Sequence, residues 1–216
     1  MNINADFSQR VVLNTHEMEW VASPMAGVER KMLDRMGAES GHATSVVRYA
    51  PESFFAPHTH SGGEEFLVLD GIFSDEHGDF PTGSYVRNPI GTRHKPFSET
   101  GCTIFVKLWQ FDEKDKEQFV VNCHEAEWET VDDGIHTLFL HQYGNEHVYM
   151  LKLKAGSEYT IDENVKGTEL LLLEGSINES GETFPAGTWM RNPIAYASRI
   201  KAVDDVLLYL KTGHLK

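Results

Sequence analysis

Apolar and polar positions along this chain change places over short distances, in runs too brief for helices. β-branched and aromatic stretches at Thr44–Tyr49, Glu65–Leu69, Thr103–Phe111, His147–Leu153, Glu169–Leu173 and Val206–Leu210 are each bounded by Gly, Pro, Asn or Asp. That pattern predicts many short strands in a β-sandwich or barrel. Helical spacing is scarce. Arg30–Met36 carries Met32, Leu33 and Met36 at helical intervals, but the equivalent Thr137–His141 reads as extended, so either state fits. The charged stretch Lys114–Glu117 lies between Phe111 and Phe119 and reads as a linker between halves.

The turn residues repeat. A shift of 104 positions carries Gly71, Gly83 and Pro89 onto Gly175, Gly187 and Pro193, and Gly83-Ser-Tyr-Val-Arg-Asn-Pro-Ile90 onto Gly187-Thr-Trp-Met-Arg-Asn-Pro-Ile194. Nearer the N-terminus the register slips by a few residues, pairing Trp20 with Trp128 and Gly27 with Gly134, as loop insertions would cause. Such a period predicts a duplicated fold, with halves at about 1–113 and 118–216.

The chemistry does not repeat. The first half carries His58, His60, Glu64 and His94, and the second has Asp162, Asn164, Thr168 and Ser198 in their places. On a strand, residues two apart share a face, so the imidazoles of His58 and His60 project together. Glu64 has the same parity and follows a Gly62-Gly63 turn. His94 arrives from another strand after Pro89-x-Gly91. Three imidazoles and a carboxylate suit a divalent ion of the Zn, Fe, Ni, Mn or Cu group. Glu65 competes with Glu64, but its parity points it to the opposite face. Its counterpart Glu169 persists where the ligands do not, which marks it as scaffold.

Other residues are weaker candidates. Phe66–Leu69 is expected to wall the pocket, with Trp109, Tyr85 and Phe55 as further lining candidates. Arg93 and Lys95, which flank His94 and do not recur as a pair, are candidates for attracting an anion. Arg87 and Arg191 recur, which suggests that they brace the turn with Asn88 and Asn192. His141 with His147, and Asp162 with Glu169, are possible cation pairs better read as ordinary polar positions. Cys102 lies eight residues after His94, which leaves a redox role open.

Bulk properties narrow the function classes. The 216 residues are 40% hydrophobic and 24% charged, as in globular proteins, and contain no apolar run long enough for a transmembrane helix. The N-terminus lacks the basic-then-apolar pattern of a signal peptide, so the cytoplasm is expected. Acidic residues outnumber basic ones 33 to 19, a net charge of −14 that argues against nucleic-acid and anionic-membrane partners. Two cysteines, Cys102 and Cys123, do not form a disulfide framework.

The frame of His58, His60, Glu64, Gly71, Gly83, Pro89, Gly91 and His94 resembles the cupin signature. It departs at the first motif glycine, replaced near Glu52 and Ser53, and at the final Asn, which is Ser98. More narrowly, His-x-His-Ser-Gly-Gly-Glu-Glu followed by Leu-x-Gly-x-Phe-x-Asp-Glu-x-Gly-Asp-Phe resembles the cupin domain of ChrR-type anti-sigma factors. The resemblance implies an all-β double-stranded β-helix (jelly roll), duplicated as a bicupin, with a metal held by His58, His60, Glu64 and His94 and a metal-free second barrel. It implies zinc first, with iron, nickel or manganese as alternatives, and a regulatory or sensory role that senses a small molecule at the metal. The alternative class is a non-haem metal-dependent dioxygenase or isomerase acting on a small carbonyl compound. Cupins associate through sheet edges, which makes a homodimer an expectation. ChrR-type proteins grip their sigma factor with a zinc domain containing His-x3-Cys-x2-Cys. No such motif occurs here, which argues against sigma-factor binding.

Overall fold

The computed structural model describes residues 1–37, 40–162 and 165–215. Asn164, one of the four positions equivalent to the candidate ligands, lies outside them. The described residues form strands and turns, with no α-helix, and the chain divides into two compact units. The first comprises Met1–Ala5 and Met18–Glu125, the second Asp6–Glu17 and Ala126–Lys216.

Twelve principal strands carry the architecture: β1 (Val11–Asn14), β2 (Val28–Met36), β3 (Ala43–Tyr49), β4 (Glu64–Asp75), β5 (Ser84–Asn88), β6 (Cys102–Leu108), β7 (Phe119–Asn122), β8 (Ile135–Tyr143), β9 (Glu146–Leu153), β10 (Thr168–Glu174), β11 (Thr188–Asn192) and β12 (Val206–Thr212). In the first unit the main sheet runs β2-β3-β6-β4-β5-β7, and in the second β8-β9-β12-β10-β11-β1, each pair antiparallel. The same order built from equivalent strands confirms the duplication. The leading strand of each repeat is exchanged: β1 pairs with β11, and its counterpart β7 pairs with β5. Sequence periodicity does not show this exchange, because Val11–Asn14 and Phe119–Asn122 have the same local pattern whichever sheet they join.

Arg30–Met36 falls within β2 and is a strand. The run expected over Thr103–Phe111 ends at Leu108, because Trp109 takes a left-handed backbone (φ 60°). Lys114–Glu117 is more than a linker, since Asp115 is 3% exposed and packs into the first unit. Alternation sends Phe66, Val68, Val86, Ile104 and Val106 to the interior of the first unit, where they meet Phe73 and Phe80. Leu151, Leu170, Leu172, Met190, Leu208 and Leu210 do the same in the second. The missing motif glycine leaves a mark. Glu52 holds a left-handed φ of 60°, and at the equivalent position of the second repeat Gly156 holds φ 87° at no steric cost.

Candidate metal centre

Two short strands bring the histidines together. His58–Thr59 pairs with Arg93–His94 so that His94 lies opposite His58. The backbone N–H of His60 donates to the Thr92 carbonyl at 2.9 Å, and that of Gly91 returns the bond to the His60 carbonyl at 3.0 Å. Glu64 opens β4 directly after the glycine turn. Gly63 is left-handed (φ 77°), and a Cβ there would stand 2.4 Å from the Phe111 ring, so no larger residue fits between ring and turn. One donor atom from each of His58, His60, Glu64 and His94 lies within 4.8 Å of every other. The structure therefore brings together the full candidate set, with His60, Glu64 and His94 buried and His58 half-buried.

The hydrogen bonds behind the rings decide which nitrogen faces the centre. His58 Nδ1 lies 2.8 Å from the Ala56 carbonyl, and His94 Nδ1 lies 3.1 Å from Asp75 Oδ2. A carbonyl oxygen and an ionised carboxylate only accept, so both Nδ1 atoms carry a proton. His60 Nδ1 meets Thr92 Oγ1 at 2.9 Å, while that hydroxyl donates its hydrogen to the Pro89 carbonyl at 2.7 Å. Thr92 thus accepts from His60. All three rings turn an Nε2 lone pair inward, the arrangement metal-ligating histidines adopt.

That arrangement tests the fit. His60 Nε2 and His94 Nε2 stand 3.1 Å apart, with Glu64 Oε1 at 3.4 and 3.5 Å from them. Two inward lone pairs at that distance repel unless a proton or a cation lies between them. Ligands bonded at 2.0–2.1 Å to one ion stand about 2.9 Å apart at octahedral and about 3.3 Å apart at tetrahedral angles, so these three edges suit one first-row divalent ion. Burial, opposed by Glu64, leaves His60 below its ordinary value. Burial also lowers His94, but its bond to Asp75 and the charge of Glu64 outweigh that and leave it raised. Asn88 Nδ2 donates to Glu64 Oε1 at 3.3 Å and helps fix the carboxylate.

Sequence reasoning missed Asp75, Thr92 and Asn88 as supports. Thr92 and Asn88 border the Pro89-x-Gly91 turn, and Asp75 belongs to the Phe-x-Asp-Glu run, so all three stand in quoted motifs. What the sequence lacked was the pairing that brings them behind their ligands.

The cavity is walled differently from expectation. The four candidate residues open onto a space of about 500 Å³ lined by Val47, Tyr49, Ile104, Val106, Leu108 and Phe73. Phe66 packs in the core instead, and Leu67 shares the outer face with Tyr85. Phe55 and Trp109 line the cavity, but Tyr85 does not. Its hydroxyl donates to Glu65 Oε2 at 2.6 Å, on the face opposite Glu64. Glu65 thus has the scaffold position parity predicts, although it is buried beneath other residues. Arg87 pairs with Glu65 and Asp115 at 2.9 and 2.6 Å. Arg93 lies outside the cavity lining, and Lys95 borders a separate shallow cleft with Glu76. The carboxylate of Glu169 accepts from Trp189 at 2.7 Å and meets His214 at 3.2 Å, while His147 stacks on Tyr149.

Cys102 is 3% exposed, and burial pushes its thiol up to about 11, against a lowering contact from Ser98. The thiolate is the reactive form, so native protein is expected to leave Cys102 unmodified by iodoacetamide at pH 7.5 over an hour, while urea-unfolded protein reacts. Rapid native labelling at Cys102, mapped by mass spectrometry, would restore a redox role.

A family model described as ChrR Cupin-like domain matches the chain twice, over residues 8–112 and 116–216. No curated protein matches. Among solved structures, a protein of Nostoc punctiforme provisionally assigned as a dioxygenase superposes with a TM-score of 0.79 at 16% identity, covering 95% of this chain and 82% of that one. The Escherichia coli pirin YhhW in complex with nickel(II) gives 0.72 at 12%, covering 96% and 100%. Oxalate decarboxylase of Bacillus subtilis gives 0.66 at 12%, covering 94% and 77%. At these identities the likeness shows the fold: a duplicated cupin. No helix among the described residues is long and apolar enough to cross a membrane.

Proposed function

The chain belongs to the ChrR cupin-like family, and from that premise we propose that its first unit holds one divalent transition metal through His58, His60, Glu64 and His94 and acts with it on a small molecule in the adjoining cavity. The observation that carries this reading is the cavity itself. All four ligand residues line it, so the centre faces room for a further ligand, whereas a purely structural zinc site is closed. Such an ion, when bound, supplies Lewis acidity toward a carbonyl oxygen or non-haem redox chemistry. The chain's own contribution is to hold a proton on each Nδ1 through Ala56, Asp75 and Thr92, to fix the carboxylate with Asn88, and to exclude water with an apolar wall. Of the neighbours that share the fold, the pirin binds nickel(II) and the Nostoc protein is provisionally assigned as a dioxygenase, which supports this reading.

The second reading is a metal-bound regulatory cupin. It is favoured by the lining, where Glu64 is the only carboxylate among the described residues and is itself a ligand, leaving no separate carboxylate base. Metal analysis of protein purified without added metal, followed by oxygen uptake with small dicarbonyl compounds, separates the two. Iron at one ion per chain with uptake supports the enzyme, and tight zinc without turnover supports the regulator. Metal content unchanged in both His58→Ala and His94→Ala variants would remove the basis for either.

A further inference from the structure

We propose that one position decides which barrel takes a metal. Arg10 supplies the second repeat with a fixed cation in place of an ion, and Gln118, at the equivalent position of the first repeat, leaves the four-donor centre open to one. This rests on the metal reading of the first unit proposed above.

The two positions are equivalent by register. Val11 lies opposite Arg191 and Phe119 opposite Arg87, so Arg10 and Gln118 each stand just before an exchanged strand. Both side chains reach the asparagine that follows the paired arginine. Gln118 Nε2 donates to Asn88 Oδ1 at 3.4 Å, and Arg10 Nε donates to Asn192 Oδ1 at 3.0 Å. In each repeat the asparagine turns its Nδ2 the other way, to Glu64 Oε1 at 3.3 Å in the first and to Thr168 Oγ1 at 3.2 Å in the second. An amide offers its oxygen and its N–H groups in opposite directions. Gln118 is therefore a positioning residue: by occupying the Asn88 oxygen it sets the Asn88 N–H toward the Glu64 carboxylate.

Beyond the asparagine the repeats part. The support behind His94 is Asp75, at 3.1 Å. The 104-residue shift carries Asp75 onto Glu179 and His94 onto Ser198. Glu179 is 3% exposed. Its carboxylate accepts from the Ser198 hydroxyl and pairs with the Arg10 guanidinium. The guanidinium carbon also lies 5.3 Å from the Tyr196 ring centroid and 5.9 Å from that of Phe184. One side chain thus joins Asn192 to Glu179. Their counterparts in the first repeat stand behind Glu64 and His94, and are connected through those donors, with His94 Nε2 3.5 Å from Glu64 Oε1. A buried carboxylate requires a positive partner. In the second repeat that partner is covalently attached, carried in by the segment Asp6–Glu17. Thr168 and Ser198 are short and neutral, so they offer an ion no anionic or imidazole donor there.

The test is zinc titration of the full, metal-free chain against a chromophoric chelator, with unfolding temperature measured on the same samples. Wild-type protein is expected to take one zinc per chain. Gln118→Arg is expected to bind zinc at least a hundredfold more weakly, because a guanidinium beside Asn88 repels a divalent ion and draws Asp75 away from His94. Gln118→Met loses the same bond to Asn88 without adding charge, and is expected to lose less than tenfold. Arg10→Ala leaves Glu179 uncompensated. It is expected to unfold at a temperature lower by roughly 10 °C, with zinc stoichiometry unchanged, and millimolar guanidinium ion is expected to restore part of that loss where sodium does not. Zinc affinity of Gln118→Arg within tenfold of wild type, an equal loss in Gln118→Met, or an Arg10→Ala variant as stable as wild type overturns the proposal. Should Gln118→Arg fail to fold, Arg10→Ala decides: stability restored by sodium as well, or by neither ion, overturns the cation assignment. A wild-type protein that takes no zinc sinks the metal reading of the first unit, and the role of Arg10 is then judged on the guanidinium result alone.

Discussion

His94→Ala lowers metal affinity on the order of a thousandfold and cuts the thermal stability of the protein. The argument starts from the hydrogen bonds. Replacing a partner behind a ligand typically costs 10–100-fold in affinity, and His94 is a donor in its own right. Its Nε2 stands 3.1 Å from His60 Nε2 and 3.5 Å from Glu64 Oε1. An ion present at a thousand times its dissociation constant stabilises the native unit by about 4 kcal/mol. For a unit of this size that corresponds to about 15 °C or more in Tm. Chelation of the wild-type protein is expected to give the same drop, and His94→Ala to show almost no further drop on chelation. Asp75→Asn, which alters only the partner of His94 Nδ1, is expected to fall between, with a 10–100-fold loss of affinity. Competition with a chromophoric chelator and differential scanning calorimetry give both quantities. If wild-type Tm does not respond to chelation, or Asp75→Asn weakens metal as much as His94→Ala, the proposed ligation is wrong.

Much of this centre was legible in the chain because its markers are backbone requirements. Glycines and a proline fix the turns around His58–His60 and His94, and Gly63 and Pro89 recur as Gly167 and Pro193 in the second repeat where the chemistry does not. Alternation, with the recurrence of Glu65 as Glu169, separated Glu64 from Glu65, and the register agrees, with Glu64 opposite Asn88 and Leu108 on one face and Glu65 opposite Arg87 and Lys107 on the other. The illegible features depend on pairings between distant segments. Thr92 supports His60 only because a loop carries it across 32 positions. Arg35 faces the cavity only because Leu33 bulges out, and one extra residue in a strand leaves no compositional trace. The charged stretch around Asp115 looks like a solvated linker by composition, but one carboxylate in it meets a buried guanidinium. The exchange of β1 and β7 was likewise invisible.

Arg87→Met is the largest purely structural effect expected, a loss of about 3–5 kcal/mol. Arg87 and Glu65 are each 1% exposed and Asp115 is 3% exposed. The guanidinium donates to Glu65 at 2.9 Å and to Asp115 at 2.6 Å, and it lies 4.2 Å above the Phe111 ring. Removing it leaves two carboxylates buried without their shared cation, and the cost is their desolvation more than the lost attraction. The second repeat predicts a gradation. Arg191 lies 4.2 Å over Phe7 in the same way, but its Nη2 meets the backbone carbonyl of Asp6 at 3.1 Å where Arg87 meets a carboxylate. Arg191→Met strands less charge and is expected to cost less. The triple change Arg87→Met, Glu65→Leu, Asp115→Leu removes these three charges at once and is expected to recover part of the loss, because apolar groups replace the ion network at little net cost while the Tyr85 hydroxyl loses its acceptor. Urea unfolding measures all three. A single variant within 1 kcal/mol of wild type, or a triple variant worse than the single, would mean that the network is solvated and that its burial does not set its energy.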